Sequence, residues 1–217
     1  MAKVKFCGLT RIEDVRLAGE LGADAMGLVF YDKSPRAVSI DVAKQLAAAA
    51  PAYMTVVALV VNMAQDVLEN LASEVAFDVV QFHGDETADE CRAMAQAVGK
   101  RWYKALRVQP SDTTESLLAK IDELKNAGAA AVLLDAYHPD KFGGTGEQFD
   151  WQKIPKNSPL PIILAGGLTS DNVAAAIAQT SVYAVDVSGG IELAKGVKCA
   201  QKMADFMKEC EKEASKV

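Results

Sequence analysis

Short apolar runs alternate with amphipathic stretches along the whole chain of 217 residues. The apolar runs are rich in β-branched residues and are bounded by glycine, proline or polar residues, which is typical of strands buried on both faces of a parallel sheet. They predict strands at 4–7, 25–30, 54–61, 77–82, 102–108, 130–135, 160–165 and 182–187.

The stretches between these strands carry apolar residues at helical spacing. They predict helices at 12–21, 40–50, 64–73, 87–98, 114–126, 171–179 and 198–212. Several of these helices end at a residue that terminates helices, such as Gly22, Pro51 or Gly128. The segment 149–156, between the sixth and seventh strands, gives only a weak helical signal.

Eight strand–helix units follow one another, and no linker or low-complexity segment separates them. Repeated β–α order implies parallel strands joined by right-handed crossovers, and eight such units close into a (β/α)8 TIM barrel. An open doubly wound sheet is the structural alternative, but it rarely needs eight even repeats. We therefore predict a single α/β domain, a (β/α)8 barrel, over residues 1–217.

Charge and composition exclude several classes of partner. The formal net charge of −6 argues against nucleic acid and anionic membranes, so an anionic small molecule would need a local site. The longest strongly apolar run, 52–61, is much shorter than the ~20 residues of a transmembrane helix, and the N-terminus does not resemble a secretory signal. The four cysteines have no CxxC spacing, which predicts free thiols in the cytoplasm. We expect a monomer or homodimer.

The residues after each predicted strand are the candidates for chemistry, because TIM barrels place their active sites at the carboxyl ends of the strands. These residues are Cys7, Arg36, Asn62, His83, Asp135, Gly166, Gly167, Ser188, Gly189 and Gly190. Side chains alternate along a strand, so Lys5 and Asp186 point to the same interior as Cys7 and Ser188. The first and last strands of a closed barrel are neighbours, and a buried charge needs a partner, so we expect Lys5 and Asp186 to pair.

Three glycine pairs follow the late strands, at Gly143–Gly144, Gly166–Gly167 and Gly189–Gly190. A single pair of this kind usually forms only a turn. Glycine also lets the backbone approach a ligand closely, and exposed N–H groups bind phosphate. TIM barrels often bind phosphate with their seventh and eighth loops, so three pairs on adjacent loops predict a phosphate site.

Cys7 and Asp135 form the candidate proton-transfer pair. Each has an ordinary structural explanation, since cysteine is often a small buried hydrophobe and aspartate often caps a helix. Their common position beside a phosphate site favours function. A thiolate can remove a proton from carbon, and a carboxyl group in a closed pocket can stay protonated and act as an acid.

Two further residues are candidates for substrate binding. The planar guanidinium of Arg36 can bind a carboxylate through two parallel hydrogen bonds, although Arg36 could also be a surface charge after a proline turn. His83 is more often a hydrogen-bonded structural histidine. The second histidine, His138, has no partner histidine at metal-ligand spacing, so we predict no metal site.

The chain carries a series of short motifs, in this order: KFCGLTR at 5–11, SPR at 34–36, VQFHG at 80–84, LLD at 133–135, GGTG at 143–146, FDW at 149–151, LAGGL at 164–168, NV at 172–173 and VDVS at 185–188. Taken together, these motifs resemble phosphoribosylanthranilate isomerase over nearly the whole chain. Two positions depart from the family pattern: Gly189 stands where serine is common, and Cys199 where aspartate is usual.

The resemblance implies an Amadori rearrangement in tryptophan biosynthesis, from N-(5-phosphoribosyl)anthranilate to 1-(2-carboxyphenylamino)-1-deoxyribulose 5-phosphate. It implies that Asp135 is the general acid, that Cys7 is the general base and that Arg36 binds the anthranilate carboxylate. His83, Ser188 and the three glycine pairs complete the expected substrate-binding set, with the glycine loops on the phosphate. No cofactor or metal is implied.

Two alternatives stay open at this point. Another phosphate-binding barrel enzyme, such as a sugar-phosphate epimerase or an aldolase, has the same general layout. A Schiff-base aldolase would need a lysine at a strand end, where this chain has Cys7 or Asp135. The other alternative is a ligand-binding barrel without turnover, and the presence of both proton-transfer candidates argues against it.

Overall fold

The computed structural model describes residues 2–136 and 149–214. Within them, eight parallel strands close into a barrel in sequential order. The strands are β1 (Lys3–Cys7), β2 (Ala25–Phe30), β3 (Thr55–Val60), β4 (Val79–Phe82), β5 (Arg101–Val108), β6 (Ala131–Ala136), β7 (Ile162–Leu164) and β8 (Ala184–Val187). The predicted (β/α)8 barrel is confirmed, and the single domain over 1–217 stays a prediction.

Helices follow most of these strands and cover the outside of the barrel. They are α1 (Ile12–Glu20), α2 (Ile40–Ala49), α3 (Gln65–Glu74), α4 (Ala88–Ala97), α5 (Thr114–Asn126), α6 (Val173–Thr180) and α7 (Ala200–Ala214). Side chains that accept backbone N–H groups fix several helix starts; Thr87 and Glu90, for example, form a capping box at α4.

The sixth strand–helix unit differs from the predicted even repeat. Among the described residues between β6 and β7, the structure has only a 3-10 helix, Trp151–Lys153. The weak helical signal at 149–156 therefore corresponds to one short turn. The described residues between the two strands carry too few apolar positions at helical spacing for a full helix.

Alternation of side chains along the strands divides the core into two layers. The outer layer lies between the strands and the helices, where Phe6 and Phe206 meet edge to face. The inner layer fills the barrel and includes Val57, Val79, Leu133 and Ile163. Polar side chains from several strands also reach the barrel interior, among them Lys5, Gln81 and Asp186.

A small antiparallel hairpin follows β8 and was not predicted from the sequence. It consists of β9 (Glu192–Ala194) and β10 (Val197–Lys198) and comes after a 3-10 helix, Gly189–Ile191. Gly196, with φ of 80°, makes its turn, and a Cβ at that position would lie 2.6 Å from the carbonyl oxygen of Pro35. The hairpin thus packs against the loop after β2, beside the barrel mouth.

Candidate active site

The structure places the described candidate residues on the loops and strand ends at one end of the barrel. Cys7 ends β1, His83 follows β4, Asp135 is the penultimate residue of β6, and Ser188 follows β8. Arg36 lies on the loop after β2, and the pairs Gly166–Gly167 and Gly189–Gly190 lie on the loops after β7 and β8. Gly143 and Gly144 lie outside the described residues.

Lys5 and Asp186 form the predicted ion pair inside the barrel. The Lys5 Nζ lies 2.9 Å from the Asp186 Oδ2, and both side chains are buried. Their pairing follows from the register of β1 and β8, which sets the two residues side by side. Burial alone would lower the pKa of Lys5, but the charges of Asp186, Cys7 and Tyr103 and the hydrogen bond to Asp186 together outweigh burial and raise that pKa well above its usual value.

The thiol of Cys7 lies next to this ion pair. A Cβ on Gly27 of β2 would come within 2.8 Å of the Cys7 Sγ and 3.2 Å of the Lys5 Nζ, so glycine is needed there to make room for both groups. Burial raises the pKa of Cys7, and the nearby charges of Lys5 and Lys198 offset part of that rise. The site therefore holds Cys7 mainly as a thiol and provides two cations that favour its thiolate.

A chain of polar contacts crosses the barrel from Lys5 to Asp135. Lys5 Nζ donates to Gln81 Oε1 at 2.9 Å, and Gln81 Nε2 lies 3.1 Å from His83 Nδ1. His83 Nε2 lies 3.3 Å from Asp135 Oδ2, but the two atoms are not aligned well enough to form a hydrogen bond. The two proton-transfer candidates are therefore connected through Lys5, Gln81 and His83, all of which are buried.

The carboxyl group of Asp135 is fixed from its other side. Its Oδ1 accepts the backbone N–H of Ala136 at 2.9 Å. Gly166, with φ of 86°, faces it from the loop after β7, and a Cβ there would lie 2.9 Å from the same oxygen. Glycine is therefore needed at this position for two reasons: a side chain would lie too close to Asp135, and the loop has a positive φ here.

Arg36 makes an ion pair that the sequence did not reveal. Its Nε and Nη2 donate to the two carboxylate oxygens of Glu192 on β9, at 2.7 and 2.8 Å. Burial alone would raise the pKa of Glu192, but the hydrogen bonds and charges of Arg36 and Lys198 outweigh burial and lower that pKa. The edge of the guanidinium that carries Nε and Nη2 is therefore engaged by Glu192.

The loops after β1, β2 and β8 meet around this ion pair. Gly8 has φ of 72°, and a Cβ there would lie 2.4 Å from the Arg36 Cδ, so the arginine crosses directly over the end of β1. Ser188 Oγ donates to the carbonyl oxygen of Cys7 at 3.0 Å. Lys198 Nζ donates to the Ser188 carbonyl oxygen and to Glu192 Oε1, at 3.0 and 2.9 Å.

The loops after β7 and β8 also lie against each other. A Cβ on Gly190 would lie 1.9 Å from the carbonyl oxygen of Leu168, which is the tightest approach at any of the described glycines. Asn172 shapes the same region, because its side chain accepts from the Thr169 N–H and donates to the Gly167 carbonyl oxygen, both at 2.9 Å. The two glycine pairs are thus brought to adjacent loops, as expected.

The described residues contain neither a metal-binding cluster nor a membrane-spanning helix. They contain no group of three or more His, Cys, Asp and Glu side chains arranged to hold a metal ion. No helix in this part of the chain is both long and apolar enough to cross a membrane.

Comparison with known proteins identifies the family. The model of the family described as N-(5′-phosphoribosyl)anthranilate (PRA) isomerase matches residues 4–209. The chain belongs to this family. The PRA isomerase of Acinetobacter calcoaceticus is 50% identical to the chain over 208 residues, covering 94% of each protein.

Solved structures of PRA isomerases have the same architecture. The enzyme from Thermotoga maritima has a TM-score of 0.86 at 32% identity and covers 98% of this chain and 100% of its own. A PRA isomerase in complex with reduced 1-(o-carboxyphenylamino)-1-deoxyribulose 5-phosphate has a TM-score of 0.80 at 30% identity, with 98% and 100% coverage.

Gly189 is one of the two positions that depart from the PRA isomerase pattern, and the structure has room for a side chain there. A Cβ there would meet only the Arg36 Nη2, at 3.6 Å, which is ordinary van der Waals contact. The other departure, Cys199, immediately precedes α7 and is partly buried. Neither departure disturbs the contacts of Cys7 or Asp135 described above.

Proposed function

We propose that this PRA isomerase family member carries out its Amadori rearrangement with Asp135 as general acid and Cys7 as general base. The observation that supports these roles is the position of the two groups. Both are buried at the same end of the barrel, and the contacts of Lys5, Gln81 and His83 connect them. The rearrangement needs one proton donor and one proton acceptor, and this arrangement supplies both.

The first step opens the ribose ring. Asp135 gives its proton to the ring oxygen, the bond from C1′ to that oxygen breaks, and the lone pair of the anthranilate nitrogen forms a C1′=N iminium. Asp135 is left as a carboxylate, which the Ala136 N–H stabilises through its hydrogen bond to Oδ1. A positioned acid of this kind typically contributes 10²–10⁴-fold to the rate.

The second step removes the C2′ proton. The Cys7 thiolate takes that proton, the electron pair of the C2′–H bond forms a C1′=C2′ double bond, and the iminium electrons return to nitrogen. The resulting enol then becomes the ketone as its hydroxyl group loses a proton and C1′ gains one. Loss of the proton from Cys7 to water and uptake of a proton by Asp135 from water restore both groups for the next turnover. Lys5 and Lys198 favour the thiolate that this step needs, because each places positive charge near the sulfur.

Binding of the two anionic groups of the substrate, its carboxylate and its phosphate, is assigned to the loops. The chain has a net charge of −6, so local donors must hold both the carboxylate and the phosphate. Arg36 offers its Nη1–Nη2 edge to the anthranilate carboxylate, and the glycine loops after β7 and β8, with Ser188, offer N–H groups to the phosphate. The complex of a solved PRA isomerase with a reduced product supports this substrate class.

The proposal is tested with freshly prepared phosphoribosylanthranilate and purified protein, by following the loss of anthranilate-derivative fluorescence. Turnover is expected without added metal or cofactor. A protein that is folded by circular dichroism and yet inactive would contradict the proposal and favour a barrel that binds without turnover. Trapping of a lysine–substrate adduct by borohydride would instead favour an aldolase.

A further inference from the structure

The amide of Gln81 has only one orientation that satisfies its neighbours. Its Oε1 lies 2.9 Å from Lys5 Nζ and 2.9 Å from the Tyr103 hydroxyl. An ammonium can only donate, and burial raises the pKa of Tyr103, so its phenol also stays protonated and can donate. The oxygen must face these two donors, and the NH₂ group of Gln81 must therefore face His83.

This orientation determines which nitrogen of His83 carries the proton. Gln81 Nε2 has no lone pair to accept with, and it lies 3.1 Å from His83 Nδ1. Nδ1 must therefore be the acceptor and be unprotonated, so the proton of the neutral ring lies on Nε2. An imidazolium would instead set an Nδ1–H against the N–H of Gln81, which leaves a buried donor unsatisfied.

The protonated nitrogen of His83 faces the proposed acid. His83 Nε2 is buried, has no hydrogen-bond partner among the described residues, and lies 3.3 Å from Asp135 Oδ2. A small shift of either side chain would complete this bond. In this neutral ring, Nε2 already carries a proton and Nδ1 accepts a hydrogen bond from Gln81. His83 therefore has no free nitrogen to accept the proton of Asp135.

We propose that Gln81 is a positioning residue for the isomerisation: it holds His83 as the neutral Nε2–H tautomer aimed at Asp135. The proton of Asp135 is then available only to the substrate. Once that proton has been transferred, the His83 N–H stabilises the Asp135 carboxylate. This inference rests on the role proposed above for Asp135.

The first test is the tautomer itself, read from the ¹⁵N and ¹H signals of the imidazole rings at neutral pH. The chain has two histidines, and the signals lost in His83→Gln identify those of His83. We expect an unprotonated Nδ1 and a protonated Nε2. A protonated Nδ1 in the unmodified protein would overturn the inference, whereas absence of turnover would count against the proposed function alone.

The second test is Gln81→Glu, which keeps an oxygen for Lys5 and Tyr103, replaces the NH₂ group that faces His83 with a second oxygen, and adds an ionisable carboxyl group beside Lys5. We expect Nδ1 of His83 to become protonated and kcat to fall about ten- to hundredfold, the usual range for a residue that orients another. KM should stay within about twofold, because the substrate contacts are unchanged. An unchanged imidazole spectrum together with an unchanged kcat would contradict the inference.

A pair of variants at residue 83 separates donation from packing. The amide introduced by His83→Gln can still donate towards Asp135, whereas His83→Leu fills space without a donor. We expect His83→Gln to retain at least about tenfold more kcat than His83→Leu. Equal losses in the two folded variants would show that donation to Asp135 is not the role of His83.

Discussion

Arg36 and Glu192 meet in a bidentate ion pair, with Nε–Oε1 at 2.7 Å and Nη2–Oε2 at 2.8 Å. The pair joins the loop after β2 to the hairpin after β8. It leaves the arginine only limited freedom to turn, because a planar guanidinium held by two bonds keeps its orientation. Glu192 thus determines the direction in which the other edge of Arg36 points.

The first prediction concerns substrate binding through this pair. Arg36→Ala should raise KM by about tenfold or more with a smaller change in kcat, since it removes a binding contact that is present throughout the reaction. Glu192→Gln should raise KM less, because one hydrogen bond to Arg36 can remain. Steady-state kinetics measures both effects. Exposed Glu123→Gln, on α5, is the matched control, and an unchanged KM in Arg36→Ala would contradict the assignment.

The second prediction concerns the pH dependence of Cys7. Burial raises the pKa of Cys7, and a base must be deprotonated to act, so the reactive thiolate is scarce at neutral pH and increases as the pH rises. Turnover also needs a protonated Asp135, so kcat/KM does not follow the thiolate alone, whereas alkylation by iodoacetamide does. We expect the rate of Cys7 alkylation to rise about tenfold per pH unit from about pH 6 until the thiol ionises, with Cys7→Ala as the background from the other thiols. An alkylation rate that is already independent of pH at pH 7 would contradict a raised pKa of Cys7.

The third prediction uses two neighbouring glycines on the loop after β8. A Cβ at Gly190 would overlap the Leu168 carbonyl oxygen, at 1.9 Å, whereas a Cβ at Gly189 would be 3.6 Å from its nearest neighbour. Gly190→Ala should therefore separate the loops after β7 and β8 and raise KM at least about tenfold, because the proposed phosphate site lies between them. Gly189→Ala should keep KM within about twofold. Equal effects of the two substitutions would contradict this account of the loops.

The fourth prediction concerns stability at high pH. Burial raises the pKa of Cys91, which lies on α4, to about 12. At a pH above about 9 the unfolded chain releases this thiol proton while the folded chain keeps it, so the free energy of unfolding falls as pH rises. The thiol contributes at most about 1.4 kcal/mol per pH unit to this slope.

Urea unfolding of the unmodified protein and of Cys91→Ala, at several pH values between about 8 and 10.5, measures the slope. Cys91→Ala should show a shallower fall with pH, whatever its stability at neutral pH. Gln96→Ala, at an exposed position of α4, changes no ionisable group and should keep the original slope. Parallel curves for the unmodified protein and Cys91→Ala would refute the linkage.

Sequence patterns were sufficient for the barrel and for part of the site. Apolar runs located all eight strands, because strands buried on both faces have a distinctive composition. Side-chain alternation and barrel closure were then enough to predict the ion pair between Lys5 and Asp186, which the structure confirms at 2.9 Å. These inferences succeeded because each depended on local pattern or on the topology alone.

The contacts of Arg36 could not be predicted in the same way. Its partner Glu192 lies 156 positions away in the chain, on a hairpin whose strands are too short to show alternation. The orientation of the Gln81 amide could not be predicted from the sequence either, because it depends on two donors from other strands, Lys5 on β1 and Tyr103 on β5. Interactions between distant loops are set by three-dimensional packing, and no single segment of sequence encodes them.

The most direct test of the central claim compares Cys7→Ala and Asp135→Asn in turnover and in binding. Both variants should lose at least about 10²-fold in kcat, since a positioned acid or base contributes 10²–10⁴-fold. Both should bind reduced 1-(o-carboxyphenylamino)-1-deoxyribulose 5-phosphate within about threefold of the unmodified protein, because neither group is assigned to binding. Cys199→Ala and exposed Asp122→Asn are the matched controls. A kcat within tenfold of the unmodified protein in either Cys7→Ala or Asp135→Asn would contradict the account.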